Sequence, residues 1–122
     1  MKTFTIEEAN ETVKLIIPAL RRVQRMAETI TLLGSVQNSD NELIGTYKMQ
    51  KELHKIHYEF FNHLDFLDEQ GIIIKDPHKG EIEFPCSVNG KQVFLHFKLG
   101  QDRVTHWYTD DDTTPRPISL LQ

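Results

Sequence analysis

The sequence predicts an α+β fold: a long antiparallel helical hairpin packed on a small antiparallel β-meander of three or four strands. Three observations predict it. Apolar residues recur at helical spacing through the first half of the chain, glycines stop that spacing at Gly34 and Gly71, and an Asn89-Gly90 dipeptide sits between two alternating runs in the second half. The expected layout is a single domain with helices over about 5–33 and 42–70, strands within 72–108 and an extended tail over 109–122.

The first helix starts at Thr5-Ile6-Glu7-Glu8, a capping-box pattern in which Thr5 and Glu8 exchange side-chain to backbone hydrogen bonds. Ala9, Val13, Ile16, Leu20, Val23, Ala27 and Ile30 then form one stripe, their steps alternating between four and three. Pro18 removes a backbone donor and predicts a kink, not a break, because the stripe keeps its phase across it. Polar residues from Ser35 to Glu42 read as the connection. The second helix carries Leu43, Tyr47, Leu53, Ile56, Phe60, Leu64 and Leu67 on one stripe, with Phe61 and Phe66 off it. Two such rods joined by a short loop return antiparallel and bury stripe against stripe.

Strand signals follow Gly71. Ile72-Ile73-Ile74 is a β-branched run and Asp76-Pro77-His78-Lys79-Gly80 a turn. Asn89-Gly90 specifies a type I′ hairpin, pairing Cys86 with Val93, Phe84 with Leu95 and Ile82 with Phe97 on one apolar face. Glu83 and His96 face each other on the opposite side. Pro85 marks an edge of its strand. A last strand runs from Arg103 to about Tyr108. The acidic, proline-containing stretch from Asp110 to Pro117 cannot continue it, and the tail is ordered only if Ile118, Leu120 and Leu121 dock.

Composition narrows the function. The 122 residues carry 14 Lys and Arg against 18 Asp and Glu, a net charge of -4 that disfavours nucleic acid and anionic membranes as partners. No apolar run is long enough to span a bilayer, and acidic residues occupy the start where a signal peptide would be apolar, so a cytoplasmic location is expected. The single Cys86 excludes an intramolecular disulfide and a four-cysteine zinc site, and it points to the core. Neither a nucleophile elbow nor a glycine-rich phosphate loop is present. His54 and His57 are three apart, but as solvated helix positions they need no metal; His63 flanks the apolar stripe. Arg21, Arg22 and Arg25, with Lys14, read as the wet face of a helix.

The candidate ligand-binding residues are His96, His106, Trp107, Tyr108, Asp110, Asp112 and Arg116. Two histidines on neighbouring strands and a carboxylate from Asp110 to Asp112 are the parts of a two-histidine, one-carboxylate metal site. The simpler reading has His96 paired with Glu83, His106 exposed and the aspartates solvated. No catalytic residue and no cofactor is predicted.

Phe4-Thr5-Ile6-Glu7-Glu8-Ala9-Asn10, Gly80-Glu81-Ile82-Glu83-Phe84-Pro85 and the run from Asn89 to Gly100 resemble a known family, domain of unknown function 2203, as do Pro18, Gly71 and Trp107. The resemblance spans nearly the whole chain. It implies the same hairpin and sheet and no assigned reaction. The family's Trp-His pair reads Trp107-Tyr108 here, and its Gly-Arg tail reads Thr114-Pro115-Arg116-Pro117.

The expected function is a non-enzymatic interaction module, a homodimer through its helices or a binder of another protein, because rods this long outreach a small meander. The alternative is a small-ligand or divalent-metal site around His96, His106 and the Asp110 to Asp112 run, with hydrolysis as its chemistry.

Overall fold

Thr5 and Glu8 close the first helix as the sequence predicts. The Glu8 N–H donates to Thr5 Oγ1 and the Thr5 N–H to Glu8 Oε1, both at 3.0 Å. The Thr5 hydrogen bonds hold the Glu8 carboxyl below its usual range. A computed structural model describes the backbone of residues 2–39 and 43–121 and the side chains of 2–34 and 47–121. Helix α1 is Ile6–Ser39 and helix α2 is Leu43–Glu69. At ~1.5 Å per residue their lengths are about 51 and 40 Å.

Helix α1 runs unbroken through Pro18, which faces solvent. It also passes Gly34, where the sequence predicts a stop. The helix absorbs residues 35–39 of the expected connection; residues 40–42, including the expected start at Glu42, lie outside the described residues. The α1 stripe is buried from Ala9 through Ala27. Helix α2 differs. Leu53, Ile56, Phe60 and Leu64 are half-buried and Leu67 is fully buried, but Tyr47, expected on the same stripe, is exposed: it stands nine residues before Ile56, two and a half helical turns, and so on the opposite side. The side chain of Leu43 lies outside the described residues.

Five antiparallel strands, one more than the upper expectation, form a sheet in chain order: β1 (Ile73–Asp76), β2 (Glu81–Val88), β3 (Lys91–Lys98), β4 (His106–Tyr108) and β5 (Arg116–Pro117). Asn89 and Gly90 both have positive φ, 51° and 80°, as a type I′ turn requires. The β2–β3 register matches the prediction pair for pair, from Val88 opposite Lys91 to Glu81 opposite Lys98. Phe84, Leu95, Ile82 and Phe97 are fully buried and share one core with α1 and Leu67.

Pro85 does not leave an open edge. The Phe4 N–H donates to the Pro85 carbonyl at 2.7 Å, and the Phe4 ring packs edge-on against Phe84 at 5.0 Å. The segment before α1 thus covers β2 beyond the first residue of β1. The tail is not simply extended: it makes the short strand β5 and a 3₁₀ turn over Ile118–Leu120. Ile118 and Leu121 pack on the core, while Leu120 stays exposed.

Candidate functional site

Pleating divides the candidate residues between two faces of the sheet. Leu95 lies opposite Trp107, and Trp107 opposite Arg116, so both look to the side that α1 covers. His96 lies opposite His106 and Phe94 opposite Tyr108, on the other side. The residues therefore do not converge as one constellation.

On the outer side, His96 Nε2 is 3.7 Å from Glu81 Oε2, so the carboxylate beside it is the diagonal Glu81 and not Glu83. His106 is exposed, with Nδ1 3.0 Å from Thr105 Oγ1. The Phe94 and Tyr108 ring centroids lie 5.9 Å apart, with the rings tilted. Among the described residues, no group of three or more His, Cys, Asp or Glu side chains is placed to hold a metal ion.

Glu83 is the anomaly of this face. Its side chain is 3% exposed, and Oε2 has no hydrogen-bond partner. A register shift between Ile74 and Asp76 bulges Lys75 out of β1 and sets its ammonium 3.8 Å from Oε1. Burial pushes the Glu83 carboxyl above the usual carboxylate range. Lys75 pulls it back, and Asp110 adds to the rise. A glutamate on the wet side of an alternating strand gives no sequence signal of such burial.

On the inner side, beyond the Asn89-Gly90 turn, an open cavity of about 880 Å³ is bordered by Lys91, Trp107, Asp110, Asp112, Arg116 and Leu121. The aspartate run is not loose. The Asp112 N–H donates to Thr109 Oγ1 at 3.1 Å, and Asp112 Oδ1 accepts from the Thr114 N–H at 3.0 Å. The Thr114 N–H and the Arg116 guanidinium hold the Asp112 carboxyl low. Arg116 pairs with Asp112 and lies over the Trp107 ring, 5.2 Å from its centroid. Trp107 Nε1–H donates to the Pro117 carbonyl at 3.0 Å. Trp107, Asp112 and Arg116 thus tie the tail to the sheet, and their polar groups point mainly at one another. Asp110 and Asp111 remain exposed at the rim. Cys86 is buried, and burial raises its thiol.

Helix α2 carries a third candidate surface. Tyr47, Tyr58 and Phe61 are 71%, 69% and 58% exposed, on the side opposite Ile56, Phe60 and Leu67. A shallow groove lies along it, lined by Tyr47, Gln50, Lys51 and His54. His54 faces solvent there, and His57 is half-buried, with its ring 6.4 Å from that of Phe61. His63 is half-buried. Arg21, Arg22, Arg25 and Lys14 are exposed on α1. The sequence signal for the α2 surface is the spacing of Tyr47, Tyr58 and Phe61, which share one side of the helix; counting Tyr47 with the inner stripe hides it. Among the described residues, no helix is long and apolar enough to cross a membrane.

No curated protein and no solved structure matches the chain significantly. The model of one family, described as uncharacterized conserved protein (DUF2203), matches residues 2–115. That match takes in both helices, the first four strands and the aspartate turn, and the chain belongs to this family.

Proposed function

We propose that the protein is a non-enzymatic interaction module of the cytoplasm that self-associates through its helices. The observation that carries this reading is the aromatic outer face of α2: Tyr47, Tyr58 and Phe61 stand in water although the sheet and α1 offer the chain a complete core. Aromatic side chains in water on one helix face are the usual anchors of a protein interface. Light scattering on the full chain at micromolar concentration tests it. A dimer is expected, and a strict monomer overturns it.

A second reading rests on the cavity beside Trp107, which is large enough for a small ligand. Binding of a divalent ion there would draw on Asp110 and Asp111, the carboxylates not engaged by Arg116. Thermal denaturation with Zn²⁺ or Mn²⁺ tests it: a raised midpoint supports a metal, and an unmoved midpoint removes it.

A further inference from the structure

Helix α2 carries its charge in two blocks. Lys48, Lys51 and Lys55 lie in its first half with one acid, Glu52. Glu59, Asp65, Asp68 and Glu69 lie in its second half, which has no lysine or arginine. This order opposes the helix dipole, which favours acids in the first turn and bases in the last; α2 has neither. Helix α1 does not compensate. Its start lies beside the end of α2, where Lys2 and Phe4 flank Gly71, and its first three turns hold Glu7, Glu8 and Glu11 against one base, Lys14. Among the described residues, none of the ion pairs includes an α2 side chain.

We infer that α2 lies antiparallel against α2 of a second copy of this chain, about a two-fold axis at Tyr58; this rests on the self-association reading above. Tyr47, Lys51, His54, Tyr58, Phe61 and Asp65 follow one another at steps of four and three and form one helix face. In an antiparallel pair, residues equally far from the axis meet. Lys51 stands seven residues before Tyr58 and Asp65 seven after it. Lys51 of each copy therefore meets Asp65 of the other, and the two Tyr58 rings meet at the centre. A two-fold interface must be self-complementary in this way. A parallel arrangement would set lysine against lysine and acid against acid. The aromatic rings supply the apolar contact, and the charge blocks select its direction.

The test uses the full chain. Lys51→Glu places an acid against Asp65 of the other copy, and Asp65→Lys places a base against Lys51 of the other copy. Each is expected to weaken dimerisation at least about ten-fold in sedimentation at low salt, since like charges oppose across the interface. The double variant Lys51→Glu/Asp65→Lys is expected to regain the dimer. An equimolar mixture of the two single variants is expected to form a heterodimer. Tyr58→Cys is expected to give a disulfide-linked dimer on mild oxidation, with wild type as the control because Cys86 is buried. Unchanged circular dichroism separates these effects from misfolding, as all three positions are exposed. A dimeric wild type that ignores both reversals, or reversals that the double variant fails to rescue, overturns the antiparallel register and leaves self-association standing. Lack of a cross-link at position 58 in a dimeric protein also overturns it. A monomeric wild type overturns both.

Discussion

Helices α1 and α2 are built from similar residues, but they bury them differently. The α1 stripe is enclosed by the sheet on one side and α2 on the other, and Val13, Leu20 and Val23 lose all contact with water. Only the last turns of α2 reach that core, through Phe60, Leu64 and Leu67. The rest of α2 has α1 alone to lean on, so its inner stripe is half-buried and its outer face keeps three aromatic rings in water. A helix with two neighbours holds the fold; a helix with one has a face to spare. Stability is expected to depend on α1 and the hairpin, and assembly on α2.

The sharpest way to break that division is to truncate one aromatic residue from each region. Phe84→Ala is expected to cost ~3–5 kcal/mol in urea unfolding. Tyr58→Ala is expected to change the stability of dilute, monomeric protein by less than ~0.5 kcal/mol. Equal costs would contradict the comparison. Within α1, Leu20→Ala is expected to cost ~2–5 kcal/mol. Leu15→Ala, at an exposed position, is expected to leave the midpoint within ~0.5 kcal/mol of wild type.

Smaller effects test how α1 is fixed to the sheet. Asn10 Oδ1 accepts from the Val104 N–H at 2.8 Å, and Asn10→Ala would leave that donor unpaired. A loss of ~1–3 kcal/mol is expected by chemical denaturation. Thr5→Ala removes one half of the capping pair and is expected to cost ~1 kcal/mol in the same assay.

The smallest expected effect is a pH dependence. Burial raises the Glu83 carboxyl in the folded protein above its unfolded value. The folded state then holds the proton more tightly than the unfolded one. This contribution to stability is fully present below the unfolded pKa and is lost as pH rises through the folded one. Glu83→Gln keeps the shape and removes the titration. The variant is expected to show a flatter fall in thermal midpoint over that range and a higher midpoint at neutral pH. A steeper fall would refute the assignment.

The parts of the fold legible in the sequence are those set by short-range patterns. The capping box at Thr5 and Glu8, the α1 stripe and the Asn89-Gly90 register each follow from a few neighbouring residues. Helix α1 continues past Gly34 because an isolated glycine costs a helix only about 1 kcal/mol relative to alanine. Tyr47 falls off the inner stripe because six residues separate it from Leu53, a step that does not stay on one helix face, whereas steps of four and three join it to Lys51, His54 and Tyr58. The candidate site was the least legible part. Strand parity was enough to separate His96 from Trp107, but the Asp112–Arg116 pair and the burial of Glu83 depend on contacts between distant strands and a folded tail. Strand β5 is hidden by its proline, since Pro117 reads as a breaker and pairs only at an outermost position.

That position has a consequence for aggregation. An open strand at the rim of a sheet is a template on which other chains can stack into fibrils. Here one rim is a four-residue strand distorted by the bulge at Lys75, and the other is Arg116–Pro117, whose proline offers no N–H. Sheet-to-sheet growth is blocked at both rims. When the protein is destabilised by heat, turbidity is expected to follow global unfolding and not to precede it.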